Sequence, residues 1–223
     1  MTVLLAENEL VAQLLRSPRL PIVAEKLDAL LADEAQRRAQ FIDTVLETEK
    51  AEFINGAKFV QSPAKFKHIA VVGNLYSLIK AYVLTRDLGW VGSEKVMISL
   101  MRNDYEPDIC YFGTAKAAAF QPDQMRFPAP DFIVEVLSAS TEANDRGVKF
   151  DDYAAHGVTE YWLIDPDTQT VEQYRLRADV YELAIKAQTG ELHSISVSGF
   201  EIPVRAIFED EVNQATLRRL LVG

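Results

Sequence analysis

A glutamate in the middle of an apolar run is the first residue in this chain that asks for chemistry. In DFIVEVLS (residues 131–138), period-two alternation puts Ile133, Glu135 and Leu137 on one face and Phe132, Val134 and Val136 on the other. A carboxylate in such a run cannot be buried and ionised without a partner, and glutamate is disfavoured at strand centres. The partner must be a metal cation, a Lys or Arg, or a proton; a buried ion pair with no further role is the plain alternative. Asp108, after Pro107 at the entry of the run PDICYF, is weak alone, because Pro-Asp at a strand start is commonly a turn or cap. Set beside Glu135 on a neighbouring strand and the same face, it makes a hard oxygen pocket suited to Mg2+ or Mn2+, with a backbone carbonyl such as that of Val136 as a third ligand. Such an ion binds a phosphoryl oxygen, acidifies a bound water and stabilises pentavalent charge.

A lysine could serve the same pocket. Asp145, Lys149 and Tyr153 recur at i, i+4 and i+8, so one helix face carries all three. The short connection Ser138–Thr141 lets that helix fold back over the sheet. Spacing alone does not choose Lys149 over Lys116, and an ordinary Asp145–Lys149 surface pair competes with the functional reading. His68 begins the apolar stripe of another helix beside Lys65 and Lys67, where it could touch a phosphate or be structural. Cys110 alternates with Asp108, yet no helix start or basic neighbour argues for a reactive thiol, so it reads as a small buried residue. Tyr153, Tyr161 and Trp162 read as core aromatics before a base-stacking platform. Glycine-rich phosphate loops, GxSxG elbows and HExxH helices are missing from the sequence.

The elements that must position these groups follow from periodicity. Residues 6–16 carry Leu10, Val11, Leu14 and Leu15 at helical spacing, ended by Ser17-Pro18. A longer helix opens at Pro21, with Leu27, Leu30, Leu31, Phe41, Ile42 and Val45 as its stripe and the pairs Asp33–Arg37 and Glu34–Arg38 on its wet side. Residues 51–61 read as a hairpin turning at Asn55-Gly56. Ser62-Pro63 reads as the cap and first position of a helix in which His68, Val72, Leu75, Ile79 and Tyr82 form one buried face up to Gly89. Strands are expected at 90–100, 107–112, 130–137 and 160–164, a helix at 141–156 capped by Thr141, then a meander at 171–176 and 180–184 and an edge piece within 200–208. This order describes an α/β (α+β) domain, a mixed sheet flanked by helices, with a helical N-terminal extension.

Composition bounds the partners. The 223 residues carry a net charge of −10, which at first speaks against nucleic acid. The distribution qualifies that: residues 53–102 hold seven bases against two acids, Asp87 and Glu94, whereas residues 103–223 hold ten bases against twenty-one acids. The basic segment is either a phosphate guide or a solvated helix face. A single cysteine excludes an intramolecular disulfide framework and a cysteine-based zinc site. With no apolar run of membrane-spanning length and no signal-peptide pattern at MTVLLAENEL, a cytoplasmic protein is expected.

The series PD (Asp108), Glu135 within DFIVEVLS, Lys149 and then YAAHGVTEYWLIDP resembles the PD-(D/E)XK restriction-endonuclease-like superfamily, in its widespread bacterial restriction-endonuclease branch. The likeness covers about residues 47–208, including EFINGAKFVQSPAKFKH and EKVMISLMRNDYEPDICYF. It implies a restriction-endonuclease-like domain at 47–223 after a helical extension at 1–46, Mg2+-dependent (or Mn2+-dependent) endonuclease hydrolysis of nucleic acid with DNA ahead of RNA, and a homodimer. Asp108 and Glu135 match the two acids that hold the metal. The superfamily's lysine, two residues after that glutamate, is replaced by Leu137, and the likeness assigns its role to Lys149 on the next helix, with Tyr153 following. Glu52 and His68 match polar positions of the branch, with Lys65 and Lys67 beside the latter. Two other classes stay open: a non-catalytic nucleic-acid-binding or regulatory protein on the same scaffold, and an interaction module working through residues 1–45.

Overall fold

A computed structural model describes residues 2–46 and 48–222. The chain forms two compact units, one taking in Met1–Gln61 with Met101–Asp104, the other Ser62–Leu100 with Tyr105–Gly223. The hairpin at 51–60, read from sequence as the start of the following domain, therefore groups with the N-terminal helices.

In the first unit, α1 (Thr2–Arg16) and α2 (Leu20–Thr44) precede a hairpin of β1 (Ala51–Ile54) and β2 (Ala57–Val60). Asn55 and Gly56 both take positive φ, 49° and 83°, the mirror-image turn that matches strand twist. The C-terminal half of α2 is tied to its own unit. Arg38 binds the buried Asp104 through both carboxylate oxygens at 2.6 and 2.8 Å, and Arg102 clasps Glu34 at 2.6 and 2.7 Å. The hydrogen bonds from Arg102 hold the Glu34 carboxyl below its ordinary value against the opposing effect of burial. Glu34, expected on the wet side of the helix, is thus buried because a bidentate arginine covers it.

The second unit is built on a six-stranded sheet. Its elements are α3 (Phe66–Thr85), β3 (Gly89–Ser93), β4 (Met97–Ser99), β5 (Asp104–Tyr105, whose first residue belongs to the first unit), β6 (Ile109–Gly113), α4 (Thr114–Ala117), β7 (Arg126–Phe127), β8 (Phe132–Val136), α5 (Glu142–Asp145), α6 (Val148–Ala155), β9 (Glu160–Asp165), β10 (Thr170–Arg177), β11 (Val180–Ala187), β12 (Glu191–His193), β13 (Glu201–Pro203), a 3-10 turn (Val204–Ile207) and α7 (Asp210–Val222). The strand order is β11-β10-β9-β8-β6-β3, with β8 and β9 parallel and the remaining neighbours antiparallel, so the sheet is mixed as expected. One face carries the main core, where Phe132, Val134, Val136, Trp162 and Ile164 pack with Val72, Leu75, Ile79 and Tyr82 of α3 and Leu220 of α7. The other face presents Glu135, Cys110 and Tyr161. The alternation read from DFIVEVLS therefore holds.

Three local expectations are corrected. Helix α3 starts at Phe66 after an extended Lys65, so Ser62 and Pro63 lie before it rather than capping it. The stretch 90–100 is two short strands, because the chain turns at Glu94, whose φ is 63°. Helix 141–156 is two segments broken at Arg146-Gly147, and α7 has no counterpart in the sequence reading.

Candidate active site

Glu135 sits at the sheet centre, 3% exposed, with its charge answered. The Lys149 ammonium lies 3.0 Å from Glu135 Oε1 and 3.1 Å from Asp145 Oδ1, and the Tyr153 hydroxyl donates to the same Oε1 at 3.1 Å. Lys149 is 1% exposed, so the surface-pair alternative for Lys149 does not describe this molecule. Sequence spacing put Asp145, Lys149 and Tyr153 on one helix face, and they do converge, although the helix is broken between them. The break rests on Gly147: a Cβ there would stand 2.7 Å from the Ala143 carbonyl oxygen, a backbone collision no side chain can relieve. The Asp145 main-chain carbonyl accepts from the buried Tyr161 hydroxyl at 3.0 Å, which fixes the far side of the turn. Burial pushes the Asp145 carboxyl above its ordinary value, with Lys149 and Thr141 pulling it partly back.

Asp108 reaches the same face by register. Ile109 pairs with Val134, so Asp108, one residue earlier, stands across from Glu135. Its Oδ2 accepts the Val136 amide at 2.7 Å, and its Oδ1 lies 3.3 Å from His68 Nε2 at the start of α3. A residue that sequence reasoning passed over joins them. Glu94 donates its amide to the Asp108 carbonyl at 3.1 Å, and ligand atoms of His68, Glu94 and Asp108 all lie within 4.8 Å of one another. The available signal was composition: Glu94 is one of two acids in the basic stretch 53–102.

This donor set fits a divalent cation. Ligands at about 2.0–2.3 Å from one ion stand at most roughly 4–4.6 Å apart, close to the span of the cluster. Two carboxylates supply hard oxygens, and Asp108 is held by a backbone amide that leaves its other oxygen turned toward His68. Glu135 does not belong to that three-residue group; the oxygen described above is bound by Lys149 and Tyr153.

The other predicted residues have these settings. Glu52 is buried on β1 of the first unit. Lys65 is exposed at the start of α3, and Lys67 forms an ion pair with Asp167. Lys116, the rival for the lysine role, is bound to Asp131 at 2.7 Å and to the Ala129 carbonyl at 2.8 Å. The basic stretch is largely committed: Lys58 pairs with Glu49, Lys95 with Glu106 and Arg102 with Glu34, while Lys80 and Arg86 donate to main-chain carbonyls of Val91 and Leu220. Cys110 is buried and its thiol is pushed far up by desolvation, which makes it inert. Tyr153, Tyr161 and Trp162 are fully buried core aromatics.

Three comparisons bear on this arrangement. A family model, Uma2, described as "Putative restriction endonuclease", matches residues 38–205. The chain is 30% identical over 135 residues to the uncharacterized protein sll1609 of Synechocystis sp., a match covering 59% of this chain and 75% of that one. It is also similar to the crystal structure of a putative nuclease belonging to DUF820 from Anabaena variabilis, with a TM-score of 0.66 and 21% identity over 79% of this chain and 96% of the other. At that identity the likeness speaks for the fold, the nuclease-like mixed sheet described above.

Proposed function

We propose, starting from the fact that this chain belongs to the Uma2 family of putative restriction endonucleases, that it is a divalent-metal-dependent endonuclease hydrolysing phosphodiester bonds of nucleic acid, DNA ahead of RNA. The observation that carries this reading is the buried Lys149 ammonium held 3.0 Å from Glu135, with Asp108 opposite on the neighbouring strand. It supports a catalytic lysine supplied by the helix after β8, in place of the residue now occupied by Leu137.

Asp108 and Glu135 are the acids that would hold the ion, Mg2+ or Mn2+. When bound, the ion supplies Lewis-acid polarisation of a phosphoryl oxygen and a more acidic water. Lys149 orients the attacking water and meets the negative charge that gathers on the phosphate as the water oxygen bonds to phosphorus, its proton passing to solvent, and the P–O bond to the leaving sugar breaks, the sugar oxygen taking a proton from solvent. Tyr153 and Asp145 keep Glu135 and Lys149 in place, and Lys65 and Lys67 lie at the start of α3 beside His68, on the side where a nucleic-acid backbone would run. Preorganised charge of this kind is commonly the largest catalytic effect, so Glu135→Gln should lose on the order of 100-fold or more in cleavage rate. The test is cleavage of duplex and single-stranded substrates by the folded protein with Mg2+ or Mn2+. Metal-independent retention of nucleic acid without cleavage would replace this reading by a binding protein on the same scaffold.

The partner in assembly is a second copy, through the N-terminal helices. Leu10, Val11 and Leu15 of α1 and Leu27, Leu30 and Leu31 of α2 are each about half exposed or more. Lys26 and Asp33, one heptad apart, flank Leu27 and Leu30, so an antiparallel copy would set each lysine against the partner's Asp33. Leu27→Glu with Leu30→Glu should convert a dimer to a monomer in light scattering; a monomeric parent chain would refute the assignment.

A further inference from the structure

The cluster around Asp108 contains a nitrogen donor, and that bears on which ion the site takes. Asp108 Oδ2 is engaged by the Val136 amide at 2.7 Å, and Oδ1 faces His68 Nε2 at 3.3 Å. Two neighbouring ligands of an ion with bonds of about 2.2 Å stand roughly 3.1 Å apart, so this separation is that of adjacent corners of one coordination sphere. A simple His–Asp pair would account for the same distance but would need no third group. Glu94 supplies one: its ligand oxygen falls within 4.8 Å of both, from a non-glycine residue held at φ 63° with its amide on the Asp108 carbonyl.

We infer that His68 and Glu94 join Asp108 in the ligand set of the metal site proposed above, and that with an imidazole in the set the preferred ion is a first-row transition divalent cation rather than Mg2+. Mg2+ favours oxygen ligands and gives up its water reluctantly, whereas imidazole is a good ligand for the transition ions. His68 is then a metal ligand, a role distinct from phosphate contact or helix structure, and Glu94 is a carboxylate ligand in place of a main-chain carbonyl. The assignment rests on the reading of Asp108 as a metal ligand but does not depend on cleavage.

The test uses the full chain, Mn2+ as the probe and no nucleic acid. Titration calorimetry should show Mn2+ binding at least about tenfold tighter than Mg2+. Pulsed electron paramagnetic resonance of the Mn2+ complex should show nitrogen hyperfine coupling from a directly bound imidazole. His68→Gln should remove the nitrogen coupling and weaken Mn2+ by about tenfold or more while changing Mg2+ far less. Glu94→Gln should weaken both ions and keep the coupling. His156 and His193 lie with Asp152 and Glu201, so the double variant His156→Gln with His193→Gln should retain the full signal, and it decides the matter if His68→Gln does not fold. Absence of nitrogen coupling in the parent protein, its persistence in His68→Gln, its loss in the double variant, or equal affinities for Mn2+ and Mg2+ would overturn the assignment. A protein that shows the coupling yet cuts nothing would refute the nuclease reading and leave the metal site standing.

Discussion

Lys149→Met is the perturbation that most sharply separates a charge held in the interior from one that merely lies near an acid. The side chains are similar in length, so little packing is lost, but the substitution removes the ammonium bound to both Glu135 and Asp145. All three are at most 3% exposed, so water cannot take over the solvation of the two carboxylates. Removing one partner of a buried ion pair typically costs about 3–5 kcal/mol. For a chain of this size each kcal/mol moves the melting point by about 2–4 °C, which puts the expected loss at about 6–20 °C near neutral pH.

The pH dependence fixes the cause. Burial already raises the folded-state pKa of Asp145, and Lys149 is the main group pulling it back. A carboxyl whose folded pKa lies above its unfolded value adds stability below the unfolded value and loses it as pH rises through the folded one. Without Lys149 that window widens upward, so the deficit of the variant should be largest at alkaline pH and shrink on acidification toward the ordinary aspartate range. The assay is thermal melting of parent and variant across that range, with Asp145→Asn added to Lys149→Met as the second arm. The double variant should recover part of the loss, because one of the stranded charges is gone. A Lys149→Met protein that melts within about 2 °C of the parent at every pH would show that no net interior charge depends on this lysine.

Three further outcomes follow from other parts of the chain. Glu160 is fully buried and accepts from Trp162 Nε1, Gln173 Nε2 and Ser194 Oγ at 2.7 Å each and from the amides of Ile195 and Ser196 at 3.0 and 2.9 Å. Glu160→Ala strands these donors and should cost about 3 kcal/mol or more by urea denaturation, with cleavage per folded molecule unchanged. Hydrogen bonds from Arg146, opposed by burial, hold the Glu172 carboxyl down at about 2, so its stabilisation is present above the ordinary glutamate value and lost as pH falls through about 2. Because Arg146 and Lys186 are partly exposed, that contribution is screened to about 1–2 kcal/mol; Glu172→Gln should be less stable than the parent at pH 7 and equal to it once acid has protonated Glu172, as acid titration followed by circular dichroism would show. Since most bases of the 53–102 stretch already have protein partners, nucleic-acid binding should have a shallow salt dependence, a slope of about −2 or less in log K against log salt; a slope near −6 would mean that a basic face has been overlooked.

What the sequence made legible was whatever period and polarity encode locally. A carboxylate in an apolar alternation pointed to a buried charge that needs a partner at Glu135, and i, i+4, i+8 spacing put Asp145, Lys149 and Tyr153 on one face, while the choice of Lys149 over Lys116 came from the family resemblance. The stripe of α3 and the Asn55-Gly56 turn needed no tertiary information. The groups that escaped are those whose position depends on long-range contact. Glu94 reaches the cluster through a left-handed turn pinned to the Asp108 carbonyl, a bond between segments fourteen residues apart that no local pattern announces. Gly147 breaks the expected helix because of the Ala143 carbonyl rather than any turn signal, and glycine alone is too permissive to predict it. The basic stretch misleads for a related reason. Charge counted along a chain shows where cations are made, whereas binding a phosphate depends on which of them the fold leaves unclaimed, and here Glu49, Asp167, Glu106 and Glu34 claim four. In a chain of net charge −10, a metal ion at Asp108 and its neighbours, as proposed above, would attract a phosphodiester more strongly than the cationic surface does, and the ion's ligands, more than the net charge, would then govern binding.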